Sequence, residues 1–320
     1  MNKRLSLKKI IPRYTTCCLL FTILLCGCQN KPLNRETRLM MGAIVEVISP
    51  DERAAGIAFE EIGRIEGLLS KYKQDSEVSR LNREGQLTVS PETLYIIQQA
   101  ERFSAASGGA FDITVGPLMS AWGFTDKNYR LPDSQKIEQA LRLVGFDKVV
   151  IDEGNSRISL NREGMSIDLG GIAKGYAVDC AVKKLKQAGI NSCLINAGGD
   201  IYCLGDKSGR PWNIAIANPR GSGSAGSLQL RNRAVATSGD YQQYFFNQKK
   251  RYSHIFNPRT GYPAESGVVS VTVAAPDCLT ADAIATSIFV LGKERGTGLA
   301  GKFSDVDAVV FEEKDVPDNK

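Results

Sequence analysis

An α+β fold built from two interwoven subdomains, with mixed sheets flanked by helices, is what this sequence predicts, and three observations predict it. Segments with apolar residues three and four apart alternate unevenly with short strand-like runs. Several of those runs are separated only by glycine-rich breaks, as in hairpins. Across 320 residues there is no internal repeat and no long linker, which argues against a doubly wound parallel sheet or separate domains.

The elements follow in order. Residues 39–48 read as a strand ending at Ser49-Pro50. Ala55, Ile57, Ala58, Ile62, Ile65, Leu68 and Leu69 then fall at helical spacing over 52–69. A polar stretch over 76–82 precedes a helix whose start is marked by Ser90 as N-cap, Pro91 at the first position and Glu92. It stops before Gly108-Gly109. Residues 133–143 form a third helix, followed by a hairpin of 148–152 and 157–161 turning through Gly154-Asn155. The run 165–169 is strand-like and breaks at Gly170-Gly171 into helical spacing through Tyr176, Ala177, Cys180, Ala181 and Leu185. Short strands are expected at 192–196, 201–204, 212–217, 227–230 and 234–237, then at 267–274 and 308–311. Helices over 279–291 and 294–303 lie between the last two.

Charge and cysteines bound where the chain works. The formal charge is +5, but Lys3, Arg4, Lys8, Lys9 and Arg13 all precede Cys28, where no acidic residue stands. From Cys28 onward basic and acidic residues balance, so no concentrated positive field exists for a nucleic acid. The basic start, the apolar run 17–26 and Gly27-Cys28 read as an export signal, because the run falls short of the about 20 residues that cross a bilayer. Leu25-Cys26-Gly27-Cys28 resembles a lipobox. Residues 1–27 are therefore assigned to a lipoprotein signal peptide, Cys28 to lipidation, 28–36 to a tether and 37–320 to one domain. The expected location is a bacterial membrane surface, with the domain in the periplasm. Cys180, Cys193, Cys203 and Cys278 show neither a disulfide framework nor a metal pair, and a Cys193 to Cys203 bridge stays open.

The chemistry gathers around 167–179. A strand breaking at glycines into a helix suits an anion, because the first helix amides lack intrahelical acceptors and Lys174 adds a charge. It matches neither the dinucleotide nor the P-loop glycine pattern. Asp282 and Thr286, four apart, share a helical face and could hold a hard cation such as Mg²⁺, or could simply cap and pack. His254, the sole histidine, sits in a loop with Asn257, Pro258, Arg259 and Gly261. Asp112 and Asp168 each follow an apolar residue at a strand end. There is no G-x-S-x-G elbow and no H-E-x-x-H, which leaves phosphate chemistry with an oxygen-bound metal.

Together the segments resemble the ApbE family, the FAD:protein FMN transferases, in a lipoprotein form. The matching stretches are Met41-Gly42, Ser70-Lys71-Tyr72, Ser76-Glu77 to Leu81-Asn82, 111–118, 167–179, 196–200, 237–241, 254–261 and Thr280-Ala281-Asp282-Ala283 with Thr286. They occur in the family's order over nearly all of the chain after Cys28. The resemblance implies that Met41, Tyr72, Ala110, Phe111, Asp112, Asp168, Lys174, His254 and Ile255 line a site for FAD. It further implies Mg²⁺ held by Gly171, Asp282 and Thr286, with Ala285 as a further carbonyl ligand. Ala43 and Asn257 depart from the family's usual Thr and Asp.

The implied reaction moves FMN from FAD to a Thr or Ser hydroxyl of an exported or membrane flavoprotein and releases AMP, with His254 accepting or orienting the hydroxyl proton. Implied partners are FAD and an acceptor subunit of a membrane redox complex of the Nqr or Rnf kind. Two other readings use the same residues: a Mg²⁺-dependent FAD pyrophosphatase, and a periplasmic FAD-binding lipoprotein without chemistry.

Overall fold

In the computed structural model, residues 32–315 are described; the stretch expected to be a signal peptide, and Cys28, lie outside them. From Leu33 on the described residues form one compact unit. The elements are β1 (Asn34–Met40), β2 (Ala43–Ser49), α1 (Arg53–Leu69), α2 (Glu77–Glu84), β3 (Gln86–Thr88), α3 (Pro91–Ser107), α4 (Gly116–Ala121), α5 (Ser134–Leu141), β4 (Val149–Asp152), β5 (Arg157–Leu160), α6 (Ala173–Gln187), β6 (Cys193–Ala197) and β7 (Asp200–Leu204). They continue with β8 (Trp212–Ala217), β9 (Ser224–Leu230), β10 (Arg233–Gly239), β11 (Tyr244–Asn247), β12 (Lys250–Ser253), β13 (Val268–Ala275), α7 (Cys278–Leu291), α8 (Lys293–Ala300) and β14 (Asp307–Glu312).

The frame is a seven-stranded antiparallel sheet in the order β1-β2-β6-β7-β10-β13-β14. Helices α1, α6 and α7 pack on one face of it. The β8–β9 hairpin covers part of the other, where Trp212, Ile214 and Leu230 meet Ile48, Leu194, Cys203 and Val235. Alternation in β8 follows from this: Trp212, Ile214 and Ile216 are buried and the residues between them exposed. A third cluster joins Leu118, Trp122, Phe124 and Ile137 to Phe256, with Phe245 and Tyr252 packed against it. Segments more than 100 residues apart are thereby interwoven.

Local signals explain the helix ends. Ser76, Ser90, Asp133 and Asp277 each accept a backbone N–H at the start of α2, α3, α5 and α7. Gly85 and Gly108 close α2 and α3 in the left-handed region. Gly175 has a different role: a Cβ there would lie 2.4 Å from the Cys278 carbonyl oxygen, so α6 and α7 touch through bare backbone.

Four expectations are corrected. The strand over 39–48 is a hairpin, because Met41 and Gly42 both adopt positive φ (51° and 71°) and turn β1 into β2. β1 begins at Asn34 and pairs with β2 from Asn34↔Ser49, so the stretch assigned to a tether ending at residue 36 already belongs to the sheet. Residues 165–169 are extended but join no ladder; the Asn82 side-chain amide holds both the N–H (2.7 Å) and the carbonyl (2.9 Å) of Ile167 instead. Helix α6 starts at Ala173 rather than at the glycine pair. The Cys193 to Cys203 bridge is also excluded by the fold, since Cys193 faces the helices and Cys203 the β8–β9 side of the sheet.

Candidate active site

Buried charge marks the centre of the site. Asp282 on α7 is 4% exposed and Asp200, at the start of β7, is 2% exposed. Lys174, in the first turn of α6, forms an ion pair with Asp200 and stands 3.7 Å from Asp282. Burial pulls the Lys174 ammonium down, but the two carboxylates overcome it and hold its pKa above the usual value. Burial, with the Asp200 charge beside it, pushes Asp282 well above the ordinary carboxylate range. The Gly175 N–H also reaches Asp282 at 3.4 Å. Lys174 is thus committed to carboxylates, and the expectation that it serves a free anion seat with Gly170 is corrected: the Gly170 amide is itself donated to Asp168 Oδ1 at 2.8 Å.

One turn along α7, the Thr286 hydroxyl lies 3.2 Å from Ser238 Oγ. A Cβ on Gly171 would come 3.2 Å from Thr286 Oγ1 and 3.3 Å from the Phe111 ring, so the fold brings Gly171, Thr286 and Phe111 together. Asp282 and Thr286 stand one turn apart on α7 with Gly171 against Thr286, and the oxygens they carry are of the kind a hard divalent cation takes. Ala285 lies fully buried on α7 between them. Among the described residues no group of three or more His, Cys, Asp or Glu side chains gathers into a metal cage.

The second wall is built from the end of α1. Lys71 Nζ lies 2.5 Å from Asp168 Oδ2, with the two side chains 14% and 10% exposed, and 5.1 Å from the centre of the exposed Tyr72 ring. Burial works against the Lys71 charge, but Asp168 more than offsets it and raises the pKa. At the β1–β2 turn, the Met41 N–H is held by Glu66 Oε1 at 2.7 Å, which fixes a left-handed backbone that a non-glycine residue rarely adopts.

His254 follows β12. Its backbone N–H and its Nδ1 both meet the Gln243 carbonyl, at 3.0 and 3.1 Å. A carbonyl only accepts, so Nδ1 carries the proton and Nε2 keeps a free lone pair. Burial lowers its pKa to about 4. The charges of Lys174, Asp168 and Lys71 act on it weakly beside the effect of burial.

Three predicted residues have largely structural surroundings. Asp112 Oδ1 accepts from the Thr114 N–H and hydroxyl (2.8 and 2.6 Å), and Oδ2 from the Phe146 N–H (3.0 Å); burial nevertheless raises its pKa. Ala110 and Ile255 are both 7% exposed and belong to the main core. Sequence reasoning assigned no role to Lys71, Asn82, Asp200, Ser238 or Gln243. The first four stand inside stretches that carried the resemblance, so the signal was there. A recess of about 550 Å³ lined by Tyr95, Tyr176, Asp179, Tyr202 and Asp277 holds none of the site residues.

The comparisons decide the family. The ApbE family model matches residues 41–310. This chain belongs to the ApbE family. It is 34% identical over 278 residues to the FAD:protein FMN transferase of Klebsiella pneumoniae (strain 342), covering 85% of this chain and 86% of that one. Against the FAD:protein FMN transferase of Treponema pallidum (strain Nichols) it is 33% identical over 326 residues, covering 92% and 90%. Among solved structures, the ApbE protein of Thermotoga maritima superposes with a TM-score of 0.82 at 34% identity, over 88% of this chain and 95% of that one. The flavin transferase ApbE from Vibrio cholerae gives 0.79 at 31%, over 88% and 94%. The α+β architecture is therefore the ApbE fold.

Proposed function

We propose that this ApbE-family protein transfers the FMN half of FAD to a Thr or Ser hydroxyl of an exported or membrane-bound flavoprotein and releases AMP. The observation that carries the reading is the His254 ring. With Nδ1 donated to the Gln243 carbonyl, it offers a neutral ring whose Nε2 is left to accept. A neutral imidazole can accept a hydrogen bond or a proton from an attacking hydroxyl, and a pKa lowered to about 4 weights this ring toward orienting that hydroxyl.

The other residues divide the work. Met41, Tyr72, Ala110, Phe111, Asp112, Asp168, Lys174 and Ile255 make up the flavin nucleotide site. Gly171, Asp282 and Thr286, with Ala285, would hold Mg²⁺, which supplies charge stabilisation on the diphosphate when bound. Lys174 stays charged beside Asp200 and Asp282 and offsets the charge of those carboxylates. The lipid-anchored periplasmic location, with Cys28 as the acylated residue and an Nqr- or Rnf-like acceptor subunit as partner, belongs to the same proposal and is supported by the leader's pattern.

The test mixes the protein with FAD, Mg²⁺ and a candidate acceptor domain and reads intact mass and free nucleotides. The expected result is an acceptor heavier by one FMN, with AMP released in equal amount. FMN and AMP in solution with unmodified acceptor would assign a pyrophosphatase instead, and intact bound FAD would assign a carrier.

A further inference from the structure

Three largely buried acidic side chains, Asp168, Asp200 and Asp282, belong to the site that, on the flavin reading, must admit an anionic diphosphate. Two ammonium groups stand against them. Lys174 is already divided between Asp200 and Asp282. Asp168 is thus left to Lys71, together with one N–H from Gly170 on its other oxygen.

We propose that Lys71 is a positioning residue for flavin-nucleotide binding: its ammonium neutralises Asp168 and fixes the plane of that carboxylate so that the site accepts the anionic half of FAD. The inference rests on the flavin reading. Its geometry is specific. Lys71 comes from the loop after α1 and Asp168 from the extended segment that Asn82 clamps, so the pair ties together two parts of the site 97 residues apart in the chain. With Lys71 on Oδ2 and Gly170 N–H on Oδ1, the carboxylate is gripped at both ends and cannot rotate. Both side chains are largely shielded from water, where removing one partner strands the other's charge. A stranded carboxylate would repel an incoming diphosphate at close range, with little solvent to screen it. Lys71 also lies 5.1 Å from the centre of the exposed Tyr72 ring, the adjacent residue that the flavin reading places in the site.

The experiment measures FAD affinity by flavin fluorescence on the full-length protein, for wild type, Lys71→Met, Lys71→Arg, Asp168→Asn and the Lys71→Met/Asp168→Asn pair. Lys71→Met should weaken FAD binding at least about tenfold, and KM for FAD should rise by more than kcat falls. Lys71→Arg should recover most of the loss, because it keeps the charge. In the Asp168→Asn background the same Lys71→Met change should cost less than about threefold, since no carboxylate is left to neutralise. Wild-type affinity in Lys71→Met, or losses that simply add in the double variant, would overturn the inference while leaving the flavin reading intact. Should Lys71→Met fail to fold, a Lys71→Arg protein that binds FAD no better than about a tenth as well as wild type would overturn it. Failure of the wild-type protein to bind FAD would overturn the flavin reading, and this inference with it.

Discussion

At the scale of single residues, the site is a set of charges whose partners decide what each can do. His254 is the clearest case. Its unperturbed pKa is 6.5 and burial lowers it to about 4 in the folded protein, so between these values the unfolded chain binds a proton that the folded chain refuses. Folding stability contributed by the neutral ring is therefore full above about pH 6.5 and is lost as pH falls toward 4. Replacing it by Gln should flatten the acid side of the stability profile over that window, read from urea midpoints at a series of pH values. An unchanged slope would mean that the ring titrates normally. The sequence showed a single histidine in a glycine- and proline-containing loop, which was enough to single it out. It could not show the tautomer, because the Gln243 carbonyl that fixes it comes from the far end of a hairpin. Lys71 was legible only as a neighbour of Tyr72, and its meaning depends on Asp168, which only the fold brings near.

At the scale of elements, the site depends on how closely α6 and α7 approach. Gly175 allows backbone contact with Cys278 and Leu279, and Asp179 on α6 accepts the N–H groups of both at 2.8 Å. This junction places Lys174 next to Asp282. Gly175→Ala should force the helices apart, because the added methyl cannot move away from a carbonyl 2.4 Å distant. A loss of about 2–4 kcal/mol is expected from overpacking of a tight interface, measured by chemical denaturation. Stability within about 0.5 kcal/mol of wild type would show that the contact is looser than drawn. The helices were legible because their caps and apolar spacing are local: α3 runs from Pro91 after the Ser90 cap to Ser107, before Gly108, as expected. The failures share one cause. The apolar composition of the run 165–169 suits a strand, yet a side-chain amide from Asn82 satisfies Ile167 in place of a neighbouring strand. Polar α2 was missed since only Val78 and Leu81 on it are buried, too few to show a period.

At the scale of the whole molecule, one antiparallel sheet carries helices on one face and a hairpin on the other, and the site is assembled from segments spread from Met41 to Thr286. Class and family were legible because the motifs keep their order along the chain. The topology was not, since β2 pairs with β6 from Ile48 to Leu194 and beyond, far apart in the chain, and no local signal encodes such a pairing. Hairpins β1–β2 and β11–β12 went unread for a related reason: Leu39 and Ile44 are exposed cross-strand partners, so their strands lack the usual buried alternation. The account's central claim is that this fold delivers a neutral His254 to a hydroxyl attacking FAD. The most direct test is the rate of FMN transfer to an acceptor by His254→Gln and by wild type, each at saturating FAD with FAD affinity measured alongside. The account predicts a fall of about 10²-fold or more in transfer, with affinity within a few-fold of wild type. Transfer at the wild-type rate by a variant that binds FAD normally would contradict it.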